Sequence, residues 1–136
     1  MSFLLDTNVV SGVRKRRPDE HVLTWLGSVS PSDLYVSVLL FGEVRVGIER
    51  LRRRDPERAA SHEDWLTRLA TAYGERVLPV TPAIADRWGR LSAGRSRPVI
   101  DTLMAATALV HGLTLVTRNG ADVDGTGVEV LDPFAG

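Results

Sequence analysis

Four acids, Asp6, Glu43, Asp101 and Asp122, stand where a folded chain would fix them. Asp6 ends the apolar run Phe3-Leu4-Leu5, and Asp101 opens the run through Leu103, Met104, Ala105, Ala106, Ala108, Leu109 and Val110. Glu43 lies beside the stripe Leu40, Val44, Ile48 and Leu51, while Asp122 follows Leu113 to Thr117 and the polar cluster Arg118-Asn119-Gly120. Each therefore sits next to sequence that must pack, which holds its backbone in place. Carboxylates gathered at one edge repel and raise one another's pKa, so a cluster of them is stable mainly around a cation. With no cysteine, and His21, His62 and His111 too scattered for a triad, the ligands are oxygens, a set that suits Mg²⁺ or Mn²⁺. One or two such ions activate water and stabilise the attacking and leaving oxygens of a phosphodiester, which makes hydrolysis of a phosphate backbone the natural chemistry. Taken singly, each acid also has a structural role: Asp101 as a first-turn charge, Asp122 as a turn residue, Asp6 as a loop residue, Glu43 as a surface charge.

The elements that must position these acids alternate along the chain. Phe3 to Leu5 reads as a buried strand with Asp6 at its carboxyl end, Val9 to Val13 as a helical turn, and Pro18 to Val29 as a helix broken by Pro31-Ser32-Asp33. Leu34 to Val38 is the second strand, and the Leu40, Val44, Ile48, Leu51 stripe makes the next segment helical, with Glu43 about a turn and a half beyond the strand. Pro56 to Tyr73 predicts a helix with Ala59, Trp65, Leu66, Leu69 and Ala72 inward, ended by Gly74. Val77 to Val80 is a third strand that Pro79 places at an edge. Thr81-Pro82 then supplies an N-cap and first-turn proline for a helix carrying Ile84, Ala85, Trp88 and Leu91. The apolar run after Asp101 is helical and ends at Gly112, a residue suited to a left-handed C-cap. Leu113 to Thr117 and Val128 to Leu131 complete the strands. Five strands separated by helices predict an α/β fold, a central parallel sheet with helices on both faces. In such sheets ligands sit beyond the carboxyl ends of the strands, where Asp6, Asp122 and the helix bearing Glu43 can share one edge.

With 136 residues and 43% apolar content the sequence suits a single domain, residues 1–136, with one core. No apolar run approaches the roughly 20 residues of a spanning helix, so the expected location is cytoplasmic, with no membrane partner. Seventeen basic residues balance seventeen acidic ones, and no global positive field marks a nucleic-acid binder. The basic residues are all arginine except Lys15, clustered at Arg14-Lys15-Arg16-Arg17 and at Arg50 to Arg54. Runs of this kind are most often solvated faces.

Several segments together resemble the PIN-domain ribonucleases, and among them the VapC-type toxins with their FitB-like branch. They are Phe3-Leu4-Leu5-Asp6-Thr7-Asn8, Ser37-Val38 through Phe41-Gly42-Glu43 to Gly47-Ile48, Ile100-Asp101 with Ala105 to Ala108, and His111 to Asn119. The likeness runs through to Gly125 to Val130 and Pro133-Phe134, with Val123 after Asp122 where many relatives have Phe. The resemblance implies a sheet of four or five parallel strands and Mg²⁺- or Mn²⁺-dependent cleavage of structured RNA such as tRNA or rRNA. It implies one or two ions held by Asp6, Glu43, Asp101 and Asp122, with Thr7, Asn8, Thr117 and Asn119 supporting the acids or metal-bound water. It further implies a homodimer and a cognate antitoxin that lays an arginine among the carboxylates. In that setting Arg14, Lys15, Arg16 and Arg17 gain a second reading as phosphate contacts at the mouth of the site.

Two other function classes fit the same pattern of elements. A phospho-acceptor signalling domain would use a strand-end aspartate, but receiver domains place a lysine after a late strand, and Lys15 is the only lysine here. A haloacid-dehalogenase-type phosphatase needs a second aspartate at the position of Asn8. A non-catalytic interaction protein of the same fold would use the acids only to dock an arginine-bearing partner.

Overall fold

The computed structural model describes residues 1–135. Every strand pairing is parallel, in the order β3-β2-β1-β4-β5, with β1 spanning Phe3–Leu5, β2 Leu34–Ser37, β3 Val77–Leu78, β4 Thr114–Val116 and β5 Val130–Leu131. Strand β1 is central, with its register fixed by Phe3 opposite both Leu34 and Thr114. Because alternate residues of a strand face opposite ways, Phe3 and Leu5 enter one core and Leu4 the other. Phe3 meets the edge of Trp25 at 5.0 Å between centroids.

The first core is covered by α1 (Thr7–Gly12), α2 (Glu20–Gly27), α3 (Val38–Arg52) and α4 (Pro56–Tyr73). On the other face, α6 (Val99–His111) brings Met104, Ala105 and Ala108 down on Leu4 and Leu115, and α5 (Pro82–Ala93) packs against α6. Alanines at those positions let the helix approach the sheet closely. Gly112 closes α6 at φ 67°, the left-handed cap its position in the sequence predicts. Strand β3 is at an edge but ends at Leu78, so Pro79 and Val80 lie outside the strand expected over Val77 to Val80 and Pro79 removes no ladder bond.

Some boundaries differ from the sequence reading for local reasons. Helix α2 starts at Glu20 because the Asp19 carboxylate accepts from the His21 and Val22 N–H groups, leaving Pro18 outside. The last strand is shorter than expected, since the Thr126 hydroxyl takes the Val128 N–H at 3.3 Å. Ala72 and Ala85, expected inward, are exposed, and the three tryptophans are half-buried. Among the described residues no helix is long and apolar enough to cross a membrane.

Parallel strands need helices that run back across the sheet, so the first turns of those helices lie over the carboxyl ends of the strands. That rule collects residues far apart in sequence. Asp6 follows β1, Glu43 lies in the second turn of α3, Asp101 in the first turn of α6, and Asp122 in a short 3₁₀ turn after β4.

Candidate active site

Asp6 is the fixed point. Its N–H donates to the Val116 carbonyl at 2.9 Å, extending the β1–β4 ladder by one rung past the strand end. Its side chain is only 5% exposed, and both carboxylate oxygens are engaged. Oδ1 accepts from the Thr7 N–H at 2.8 Å, capping α1, and Oδ2 accepts from the Thr117 hydroxyl at 2.8 Å. The Thr117 hydroxyl in turn accepts from the Asn119 N–H at 3.0 Å. Charge-assisted bonds of this kind contribute about 1.5–3 kcal/mol each and offset the cost of burying the carboxylate.

The other acids are less confined. Glu43 is exposed, and its Oε1 accepts from the Thr7 hydroxyl, so one threonine holds Asp6 through its backbone and Glu43 through its side chain. Asp101 is half-buried, and its pKa is pushed up to about 6. Burial is the largest cause, followed by the charges of Asp6, Asp122 and Glu43 and by a hydrogen bond to Asp122. Asp101 thus feels the charges of the three other acids at the carboxyl edge. Asp122 itself is exposed, but its loop is anchored by buried Val123, by the Thr126 hydroxyl on the Val123 carbonyl at 2.7 Å, and by Arg97. Arg97 donates to the Leu91 carbonyl at 3.1 Å and to the Asp124 carbonyl at 2.9 Å, tying the end of α5 to the segment just beyond Asp122.

Residues 3–124 match the PIN domain family. The chain belongs to it. It is 31% identical over 136 residues to the plasmid stability protein StbB of Pseudomonas syringae pv. tomato, covering 97% of this chain and 98% of the relative. It is 30% identical to the VapC ribonuclease Y4jK of Sinorhizobium fredii, with 97% of both chains covered. The crystal structure of FitAcB from Neisseria gonorrhoeae superposes with a TM-score of 0.86 at 29% identity, over 98% of this chain and 99% of that one.

This PIN domain does not present a dry metal cage: among the described residues, no three His, Cys, Asp or Glu side chains converge closely enough to hold one ion. The raised pKa of Asp101 reflects burial first and the charges of its acidic neighbours second. The donor set nevertheless suits Mg²⁺, which keeps several waters and takes only one or two carboxylates directly. Asp6, Glu43, Asp101 and Asp122 are the residues that could hold such an ion, Asp6 and Asp101 being the less exposed of the four.

The supporting residues expected in the sequence divide. Thr7 and Thr117 bond to the acids, whereas Asn119 contributes its backbone N–H rather than its amide. Asn8 is exposed on α1 and, among the described residues, makes no hydrogen bond to an acid. The basic run of the PIN domain also divides. Arg14 stacks on Trp65 at 5.0 Å beside Thr7 and Glu43, while Lys15 and Arg17 line a recess with Arg118 and Phe134. Arg54, Arg58 and His62, which share Arg14's surroundings, were not singled out as functional from the sequence; the i, i+4, i+7 spacing of Arg58, His62 and Trp65 on α4 was the available signal.

Proposed function

We propose that the protein is a divalent-metal-dependent endoribonuclease toxin that hydrolyses phosphodiester bonds in structured RNA. The observation that carries this reading is the half-buried carboxyl of Asp101, whose pKa is pushed up to about 6 by burial first and then by the charges of Asp6, Asp122 and Glu43. A protein keeps such repulsion where a cation relieves it. The names of the relatives, a VapC ribonuclease and a plasmid stability protein among them, support the same reading.

When bound, one or two Mg²⁺ or Mn²⁺ ions would supply water of lowered pKa and neutralise charge on the phosphate. The chain's own residues do the rest. Asp6, with both oxygens held, gives the ion a fixed position, and Thr7 sets Glu43 relative to it. Asp101, with its pKa pushed up to about 6 by burial and by the neighbouring acids, would be eased into its ionised form by a bound cation. The same acids would receive an arginine of a cognate antitoxin, which replaces the cation electrostatically and silences the enzyme. We place the protein in the cytoplasm as a homodimer.

The test is cleavage of tRNA and rRNA by purified protein with Mg²⁺ or Mn²⁺, with chelator, and with Asp101→Asn. Cutting that needs the metal and disappears in the variant is expected; undiminished cutting by the variant would remove the mechanism. The absence of a ready-made cage favours one alternative, a non-catalytic PIN domain whose acids only dock a basic partner. Calorimetry decides between them, because that alternative predicts no Mn²⁺ binding to protein freed of any partner.

A further inference from the structure

Beside the acidic edge, between α1, α3 and α4, lies a cleft of about 370 Å³. Thr7 and Glu43 form its boundary with the catalytic acids, and Arg14, Arg54, Arg58 and His62 line the rest together with the apolar Val44, Ile48, Leu51 and Trp65. We propose that this cleft is a phosphate subsite, in which Arg14, Arg54 and Arg58 receive the RNA backbone phosphates neighbouring the one that is cut. The inference rests on the RNA-cleaving reading above and adds to it where the strand leaves the acids.

Charge bookkeeping on the two sides of the α3–α4 pair separates this cleft from an ordinary basic surface. On the outer side Arg45 and Arg52 are each paired with Glu49 and Glu63. Among the described residues Arg14, Arg54 and Arg58 make no ion pair. Their uncompensated field is felt by His62, whose pKa is lowered by burial and then by the Arg14 and Arg58 charges. Arg14 is held in place by its stack on Trp65, and Arg58 by its position in the first turn of α4, where Asp55 caps the helix by accepting the Arg58 N–H at 3.1 Å. Glu43 is the one acid lining the cleft and stands at its boundary with the catalytic edge, so an anion is drawn to the arginines. A ligand with regularly repeated negative charge, one of which sits at the acids, matches this layout better than a protein segment does.

The test separates binding from cleavage. A short, fluorescently labelled 2′-O-methyl RNA is titrated in chelator with wild type, Arg54→Ala/Arg58→Ala, Arg58→Glu and, as a control on the outer face, Arg45→Ala. The double variant is expected to bind about tenfold more weakly, with a salt dependence reduced by about 1.4 in log–log slope for two lost phosphate contacts. Arg58→Glu should lose more, and Arg45→Ala should bind as wild type does. With metal and cleavable RNA, the double variant should show a raised KM at nearly unchanged kcat. Equal RNA binding by wild type and the double variant overturns the proposal, as does an equal loss in Arg45→Ala. Retained RNA binding with lost binding of polyglutamate would instead assign the cleft to an acidic protein segment. RNA that binds through these arginines but is never cut would remove the nuclease reading and leave the subsite standing.

Discussion

The two halves of the acidic edge are built on opposite terms. Asp6 is buried and satisfied, each oxygen holding a hydrogen bond, at the end of the central strand. Asp101, by contrast, is half-buried with its pKa pushed up to about 6, by burial first and then by the charges of the neighbouring acids, and Asp122 is exposed. One half is held by the protein's own hydrogen bonds; on the proposed reading a bound cation would relieve the other, so that Asp6 would fix its position and Asp101 with Asp122 would set its affinity.

Breaking the strained half should have the largest consequence. Asp101→Asn is expected to lower RNA cleavage at least about 100-fold, the upper end of what even outer partners of a metal site cost; steady-state kinetics on a defined RNA measures it. The same variant should be more thermostable than wild type in chelator at neutral pH. The sign follows from the raised pKa: below the ordinary value of 3.8 Asp101 is protonated whether folded or unfolded, and its contribution to stability is intact. As pH rises toward about 6 the folded protein must surrender a proton it holds more tightly than the unfolded chain does, and stability is lost. The Tm advantage of Asp101→Asn should therefore vanish near pH 3.5 and shrink on addition of Mg²⁺; an advantage equal at all pH values would mean that the strain is not electrostatic.

Loosening the rigid half should read out differently. Thr117→Val removes the donor to Asp6 Oδ2 and the acceptor for the Asn119 N–H, which is expected to cost about 1.5–3 kcal/mol in denaturant unfolding. Metal affinity should fall about 10–100-fold at the same time, checked by Mn²⁺ calorimetry. A stability loss with metal binding unchanged would show that Asp6 is structural only. Arg97→Ala should have the smallest effect, about 1 kcal/mol or less, with faster hydrogen exchange confined to residues 120–125.

The same contrast explains what the sequence made legible. Asp6 stands out because Phe3-Leu4-Leu5 has nowhere to go but a strand, and the strand fixes the next residue. The left-handed cap at Gly112 and the edge position of β3, which Pro79 directly follows, come from backbone chemistry alone. Thr117 and Thr7 were visible through family resemblance rather than through any spacing rule, since their bonds to Asp6 and Glu43 join elements formed far apart in the chain. Asn8 looked equivalent to Thr7 but lies on the exposed side of α1. The arginine cleft was hidden because it depends on which side chains the acids of α3 and α4 neutralise, and that is a matter of rotamers and helix rotation. Arg97 stands in the polar stretch Gly94 to Arg97, where nothing in the sequence marks it, and only the fold brings it to Asp124.

Strand β1 is made first, yet both of its neighbours come later, and Asp6 reaches its hydroxyl partner only once Thr117 has been added. A chain that stops short of β4 lacks both Asp122 and the ladder that holds Asp6, so the carboxyl edge comes together only when segments from residue 6 to residue 122 are present at once.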